Sequence, residues 1–327
     1  PIHIGIDLES NEAYYGLRGL NDTVAFEKAR GTVPQDRRAT VILSLSVTHT
    51  GLHHVAREYL AAELAKAPPL EHLQVYLFTE ADTEKVVRRL LGPYLSDNGA
   101  DTGAVEKVMA VFGVDGEYGR HYSFLKAVAP LWSVFKDSRI RGTFKIDLDQ
   151  VFPQAELIAE TGESALDHFR TPLWGARGKD RQGRDVELAM IAGALVNEKD
   201  IHRGLFTPDV PMPEEIPPGE AAVFFNKLPM AVSTRAEMMT RYDQPQHHCI
   251  YRIHVTGGTN GILLDALRRH RPFTPTFIGR AEDQGYILSV LYGPSPHVRY
   301  LHKPGLIMRH DKEAFAGASI AAAEHGR

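Results

Sequence analysis

The spacing with most chemical content is Phe144-Lys145-Ile146-Asp147-Leu148-Asp149-Gln150. Side chains on a strand alternate faces, so a strand expected over 143–148 puts Phe144, Ile146 and Leu148 on one side. Lys145, Asp147 and Asp149 share the other. Two carboxylates held together repel and lose hydration, and a divalent cation offsets both costs. Hard cations such as Mg²⁺ or Mn²⁺ take carboxylate oxygens together with the phosphate oxygens of a substrate. Asp-x-Asp after an apolar strand therefore fits a metal-held diphosphate. It fits equally a solvated strand end with two surface acids.

Two further segments carry chemistry. Val255-Thr256-Gly257-Gly258-Thr259-Asn260-Gly261 precedes an expected helix, and its glycines let backbone approach a ligand closely. The acidic pair Glu282-Asp283 opens the helix expected over 281–291, where the helix dipole favours ionised carboxylates. Such a carboxylate beside a cleft serves as general base toward a hydroxyl, and simple N-terminal capping is the alternative. Near the end of the sequence given, His302 and His310 are candidate metal ligands, among sixteen histidines in all.

The elements that must position these residues begin, in pattern, at Ala39. A β-branched apolar run over 40–47 reads as a buried strand, 48–51 as a turn, and 52–66 as a helix stopped by Pro68-Pro69. A second strand covers 73–79, and Asp82 is placed to cap a helix reaching 91. Strand, helix, strand, helix argues for a parallel sheet with right-handed crossovers. Further on, 122–135 reads as helical, 171–184 as a Gly- and Arg-rich loop, and 187–196 as either helix or strand. The proline-rich stretch 207–219 is an extended connection, with strands at 221–225 and 251–256 and a helix over 261–270. This divides the chain into a lead-in segment (1–38), a first half (39–160) and a second half (161–327).

Composition bounds the answer. The chain has 327 residues, 43% hydrophobic and 24% charged, which is globular stock. A net charge of −4 gives no basic excess for a nucleic-acid partner. One cysteine, Cys249, excludes a disulfide within the chain and a Cys-rich zinc site, and agrees with a reducing, cytoplasmic setting. No secretory leader is visible, and no apolar run approaches the ~20 residues of a membrane span, so no integral membrane segment is expected.

In order and spacing, these segments resemble the GT-A fold of nucleotide-sugar glycosyltransferases over about residues 39–312. The resemblance implies an α/β, Rossmann-related fold: a mostly parallel central sheet flanked by helices, with a smaller acceptor-side subdomain. It implies Mn²⁺ or Mg²⁺ on Asp147, Asp149 and His310, with His302 as the alternative. It implies a nucleoside-diphosphate sugar donor contacted by Ser44, Ser46, Glu80, Lys126, Leu148, Gly257, Gly258 and Asn260. A hydroxyl acceptor follows, with Glu282 and Asp283 as the catalytic acids and Asp283 the base of an inverting transfer. The chain departs from the pattern in two places. Its first strand ends Leu45-Ser46-Val47-Thr48-His49 instead of Pro-x-Tyr-Asn, and Glu80 or Asp82 is the nearest candidate for a base-reading acid.

Other residues have two readings each. Arg120, His121 and Lys126 contact phosphate or lie on helix surface. Trp174 belongs to a mobile lid or anchors a loop in the core. Lys227 or Arg235 clamps an anionic acceptor group or forms a structural salt bridge. His247-His248-Cys249 is incidental, because neighbours on a strand point apart. Asp147-Leu148-Asp149-Gln150-Val151 is also similar to the motif of haloacid-dehalogenase-like phosphatases, although that fold opens with the motif. A sugar-phosphate nucleotidyltransferase would want basic residues at 48–51, which has no Arg or Lys. A non-catalytic sugar-nucleotide binder has no need of Asp283 beside Asp147 and Asp149.

Overall fold

The computed structural model describes residues 11–45, 47, 51–101, 103–112, 129–179, 183–197, 260–270, 290 and 293–310. It is a mixed α/β fold. Helix α1 (Glu12–Ala29) precedes β1 (Ala39–Ser44), α2 (His53–Lys66), β2 (Leu73–Phe78) and α3 (Glu80–Val86). A π-helical turn (Val87–Leu91), α4 (Gly92–Asp97), α5 (Ala104–Phe112) and α6 (Trp132–Phe135) lead to β3 (Gly142–Lys145) and β4 (Gln150–Val151). Then come α7 (Gln154–Thr161), α8 (Ala165–Phe169), β5 (Arg177–Lys179), β6 (Asp185–Asn197), β7 (Asn260–Leu263), α9 (Leu264–Arg269) and β8 (His297–His310). No helix of the described residues is long and apolar enough to cross a membrane.

The expected strand–helix–strand start is present: β1 and β2 pair in parallel, Ala39 opposite Leu73 and Ser44 opposite Phe78. The expectation of one mostly parallel central sheet is not met among the described residues. These two strands form their own sheet, and the larger one has six strands in the order β3-β7-β6-β8-β4, with β5 paired to β6. Only β6 and β8 are parallel in it; β3·β7, β6·β7, β4·β8 and β5·β6 are antiparallel. The stretch 187–196 is strand. Its apolar run, Leu188-Ala189-Met190-Ile191-Ala192, is at most 1% exposed throughout, as in a strand covered on both faces. Leu188 and Ile191 join one core cluster, while Ala189, Met190 and Ala192 join the other. A register shift against β8 between Glu187 and Met190 accompanies the break in alternation.

Helix α1 is a correction, because nothing regular was expected in 1–38. Asn11 caps it, accepting the Ala13 N–H at 2.9 Å. Ala13, Leu17 and Val24 bury its inner face with Leu43, Leu60 and Leu73 of the β1–α2–β2 unit. Its two glycines weaken the helical signal in sequence, yet they are where other backbone arrives. A Cβ on Gly16 would lie 2.5 Å from the Leu148 carbonyl oxygen, and one on Gly19 would meet the Val151 side chain.

Candidate functional site

Strand β3 stops at Lys145, before the two acids. Asp147 and Asp149 sit in a turn, closed by the Gln150 N–H donating to the Asp147 carbonyl at 3.2 Å, not on a strand. The cause is packing. Phe144 stacks against Phe169, centroids 4.0 Å apart, while Ile146 enters the core between the six-stranded sheet and α7 and α8. Leu148 enters a different core, that of α1, β1, α2 and β2. Satisfying both cores forces the chain to cross from one to the other, and the carboxylates mark the seam. Ligand sites favour such seams between packed units.

The expected strand face of Lys145, Asp147 and Asp149 is not formed, since β3 ends at Lys145, but Lys145 and Asp147 are neighbours. The Lys145 ammonium is 3.4 Å from Asp147 Oδ1, with the Asp147 side chain 44% exposed. Gln150 Nε2 donates to Asp147 Oδ2 at 3.4 Å. Asp149 is half-buried. Gln150 is buried at 4% exposure, and its Oε1 has no hydrogen-bond partner among the described residues. Sequence reasoning passed over this glutamine, since a polar residue after an acidic motif carries no signal of burial.

Sheet register places the other candidates at the two ends of the turn, on the strands beside β3 and β4. At the near end of the acidic turn, Lys145 lies opposite Asn260. At the far end, Gln150 lies opposite His310. Asn260 and His302 both lie opposite Ala192, whereas His310 is the histidine whose backbone pairs with Gln150 at the end of the acidic turn. The glycine role is corrected at the one position described. Gly261 is filled by protein and not by ligand, since a Cβ there would meet Ile191 at 2.5 Å and the Phe144 ring at 2.8 Å. The helix expected over 261–270 starts only at Leu264, after β7.

Glu80 sits at the C-terminal end of the β1–β2 pair and is 3% exposed. Its two carboxylate oxygens face the Val47 N–H at 3.4 Å each, and Oε2 is 3.5 Å from His53 Nε2. Ser44 closes β1 opposite Phe78. Asp82 is committed to structure: it forms a capping box with Thr79 and pairs with Arg57. Trp174 is an anchor. Its indole donates to the Ala189 carbonyl at 3.2 Å, and a Cβ on Gly142 would collide with its ring. Ser46, Lys126, Arg120, His121, Lys227, Arg235, the 247–249 triplet, Gly257, Gly258, Glu282 and Asp283 lie outside the described residues. Among the described residues, no three His, Cys, Asp or Glu side chains group as metal ligands.

No protein-family model, no curated protein and no solved structure matches the chain.

Proposed function

We propose that the chain is a metal-dependent glycosyltransferase with a GT-A-like arrangement, moving a sugar from a nucleoside-diphosphate donor to a hydroxyl acceptor. One observation carries the reading. The Asp147–Asp149 turn connects the two outer strands of the six-stranded sheet, β3, where Lys145 lies opposite Asn260, and β4, where Gln150 lies opposite His310, so the acids are set between two segments far apart in sequence. A parallel β1–α2–β2 unit abuts that turn through Leu148.

The donor chemistry fits a hard divalent cation, Mn²⁺ or Mg²⁺. Asp147 and Asp149 offer carboxylate oxygens, and the Gln150 amide, whose nitrogen donates to Asp147, has a buried oxygen with no partner among the described residues. Bound there, such a cation neutralises charge on a departing nucleoside diphosphate. Lys145, already 3.4 Å from Asp147, adds a second positive charge next to the phosphates. Glu80 holds the Val47 N–H and so fixes the chain leaving β1, where a nucleoside would lie against Ser44 and Ser46. Asp283 is assigned the proton of the acceptor hydroxyl, which gives inversion.

Thermal unfolding with Mn²⁺ and UDP, GDP or ADP tests this reading. Stabilisation by one nucleoside diphosphate that requires Mn²⁺ is the expected result. Stabilisation by fluoroberyllate with no nucleotide effect would move the chain to phosphoryl transfer.

A further inference from the structure

Gln150 is held from two directions by the acidic turn. Its backbone N–H donates to the Asp147 carbonyl at 3.2 Å, and its Nε2 donates to Asp147 Oδ2 at 3.4 Å. The remaining polar atom, Oε1, is buried and has no partner among the described residues. A carbonyl oxygen shut away from water without a donor keeps its full desolvation cost, so its presence in a folded core needs a reason. Exchanging the amide oxygen and nitrogen gives no relief, because it would set oxygen against the Asp147 carboxylate. The amide is thus fixed with its nitrogen on one acid and its oxygen, on the same carbon, without a donor among the described residues. Amide oxygens serve hard cations alongside carboxylates.

We propose that Gln150 Oε1 is a ligand of the same divalent cation as Asp147 and Asp149, while Nε2 orients the Asp147 carboxylate. The inference rests on the metal reading above. The competing role is that of a simple pin, in which only the Nε2 contact matters.

The two roles predict opposite behaviour for one variant. Gln150→Glu keeps an oxygen donor but cannot donate to Asp147 and repels it. Gln150→Leu removes both functions. Mn²⁺ alone is titrated into the full chain and free Mn²⁺ is read by electron paramagnetic resonance, with circular dichroism reporting folding. A ligand role predicts that Gln150→Leu weakens Mn²⁺ binding about tenfold or more. It predicts that Gln150→Glu binds as well as the parent or better. A Leu variant that binds like the parent, or a Glu variant as weak as Leu, overturns the proposal. If the Leu variant does not fold, Glu against parent decides: retained binding supports the ligand role and lost binding refutes it. Asp149→Ala separates the two levels. Loss of Mn²⁺ binding in Asp149→Ala but not in Gln150→Leu sinks only the role of Gln150. No Mn²⁺ binding by the parent, or none lost in Asp149→Ala, sinks the metal reading and this inference together.

Discussion

At the scale of single residues, Asp147 and Asp149 differ in what already holds them. Asp147 has Lys145 and Gln150 as neighbours, yet its side chain is 44% exposed. An ion pair this open contributes at most about 1 kcal/mol, so a cation can displace the ammonium at little cost. Lys145→Met is therefore expected to leave Mn²⁺ binding intact or tighter while weakening nucleoside-diphosphate binding, read by titrating each separately. Asp283→Asn is expected to keep nucleotide binding and lose transfer; full turnover in that variant removes the base assignment. The acidic pair was legible because its residue types are unusual after an apolar strand. Its conformation was not, since alternation along 143–148 is a local rule. Two cores competing for Ile146 and Leu148 override it. Gln150 was illegible for a related reason: burial of an amide is decided by residues distant in sequence, on β8.

Among elements, α1 is what braces the acidic turn. Gly16 and Gly19 receive Leu148 and Val151. Lower on the helix, buried Glu27 accepts from Gln154 Nε2 at 2.8 Å, and Arg30 pairs with Asp167 at 2.8 Å. A Gly16→Val side chain has nowhere to go, because the obstacle is backbone and not a flexible side chain. It is expected to cost about 1–3 kcal/mol and to reduce Mn²⁺ affinity by shifting the turn. Gly31→Ala is the control. Its φ of +75° makes any side chain strained, but nothing lies within 4 Å, so stability falls with Mn²⁺ binding unchanged. Denaturant unfolding and Mn²⁺ titration on both variants check this pair. The β1–α2–β2 unit was readable because propensity, pattern and stop signals agree there, down to Pro68-Pro69 after α2. Helix α1 was not, because glycines needed for close packing lower its local helical signal. Strand β6 was ambiguous because burial on both faces erases the alternation that separates strand from helix.

For the molecule as a whole, pH should act through buried groups at the far side of the sheet. His270 is 6% exposed with neither ring nitrogen partnered among the described residues. Burial, then the charge of Arg269, pushes its pKa below the usual histidine value, with His297 adding to the effect and Glu187 opposing it. A histidine kept neutral on folding stabilises fully above about pH 6.5 and loses that contribution as pH falls toward its folded pKa. His270→Leu gives up no hydrogen bond to a described residue and removes the titrating group, so its stability is expected to fall less between about pH 7.5 and pH 5.5. Equal slopes for parent and variant in denaturant unfolding would refute this. Asp167 acts lower in pH. Burial raises its pKa, but bonds from Ser164 and Arg30 outweigh burial, so the net shift is downward. Its contribution is present above about pH 4 and disappears on further acidification.

Calorimetric titration of UDP, GDP and ADP, each with Mn²⁺ and again with EDTA, puts the central claim to its most direct trial. The account predicts that one of them binds with Mn²⁺ present. It predicts that the binding heat vanishes with EDTA and in Asp147→Asn and Asp149→Asn proteins that remain folded. Binding that ignores the metal and both substitutions, or no binding by any of the three, would contradict it.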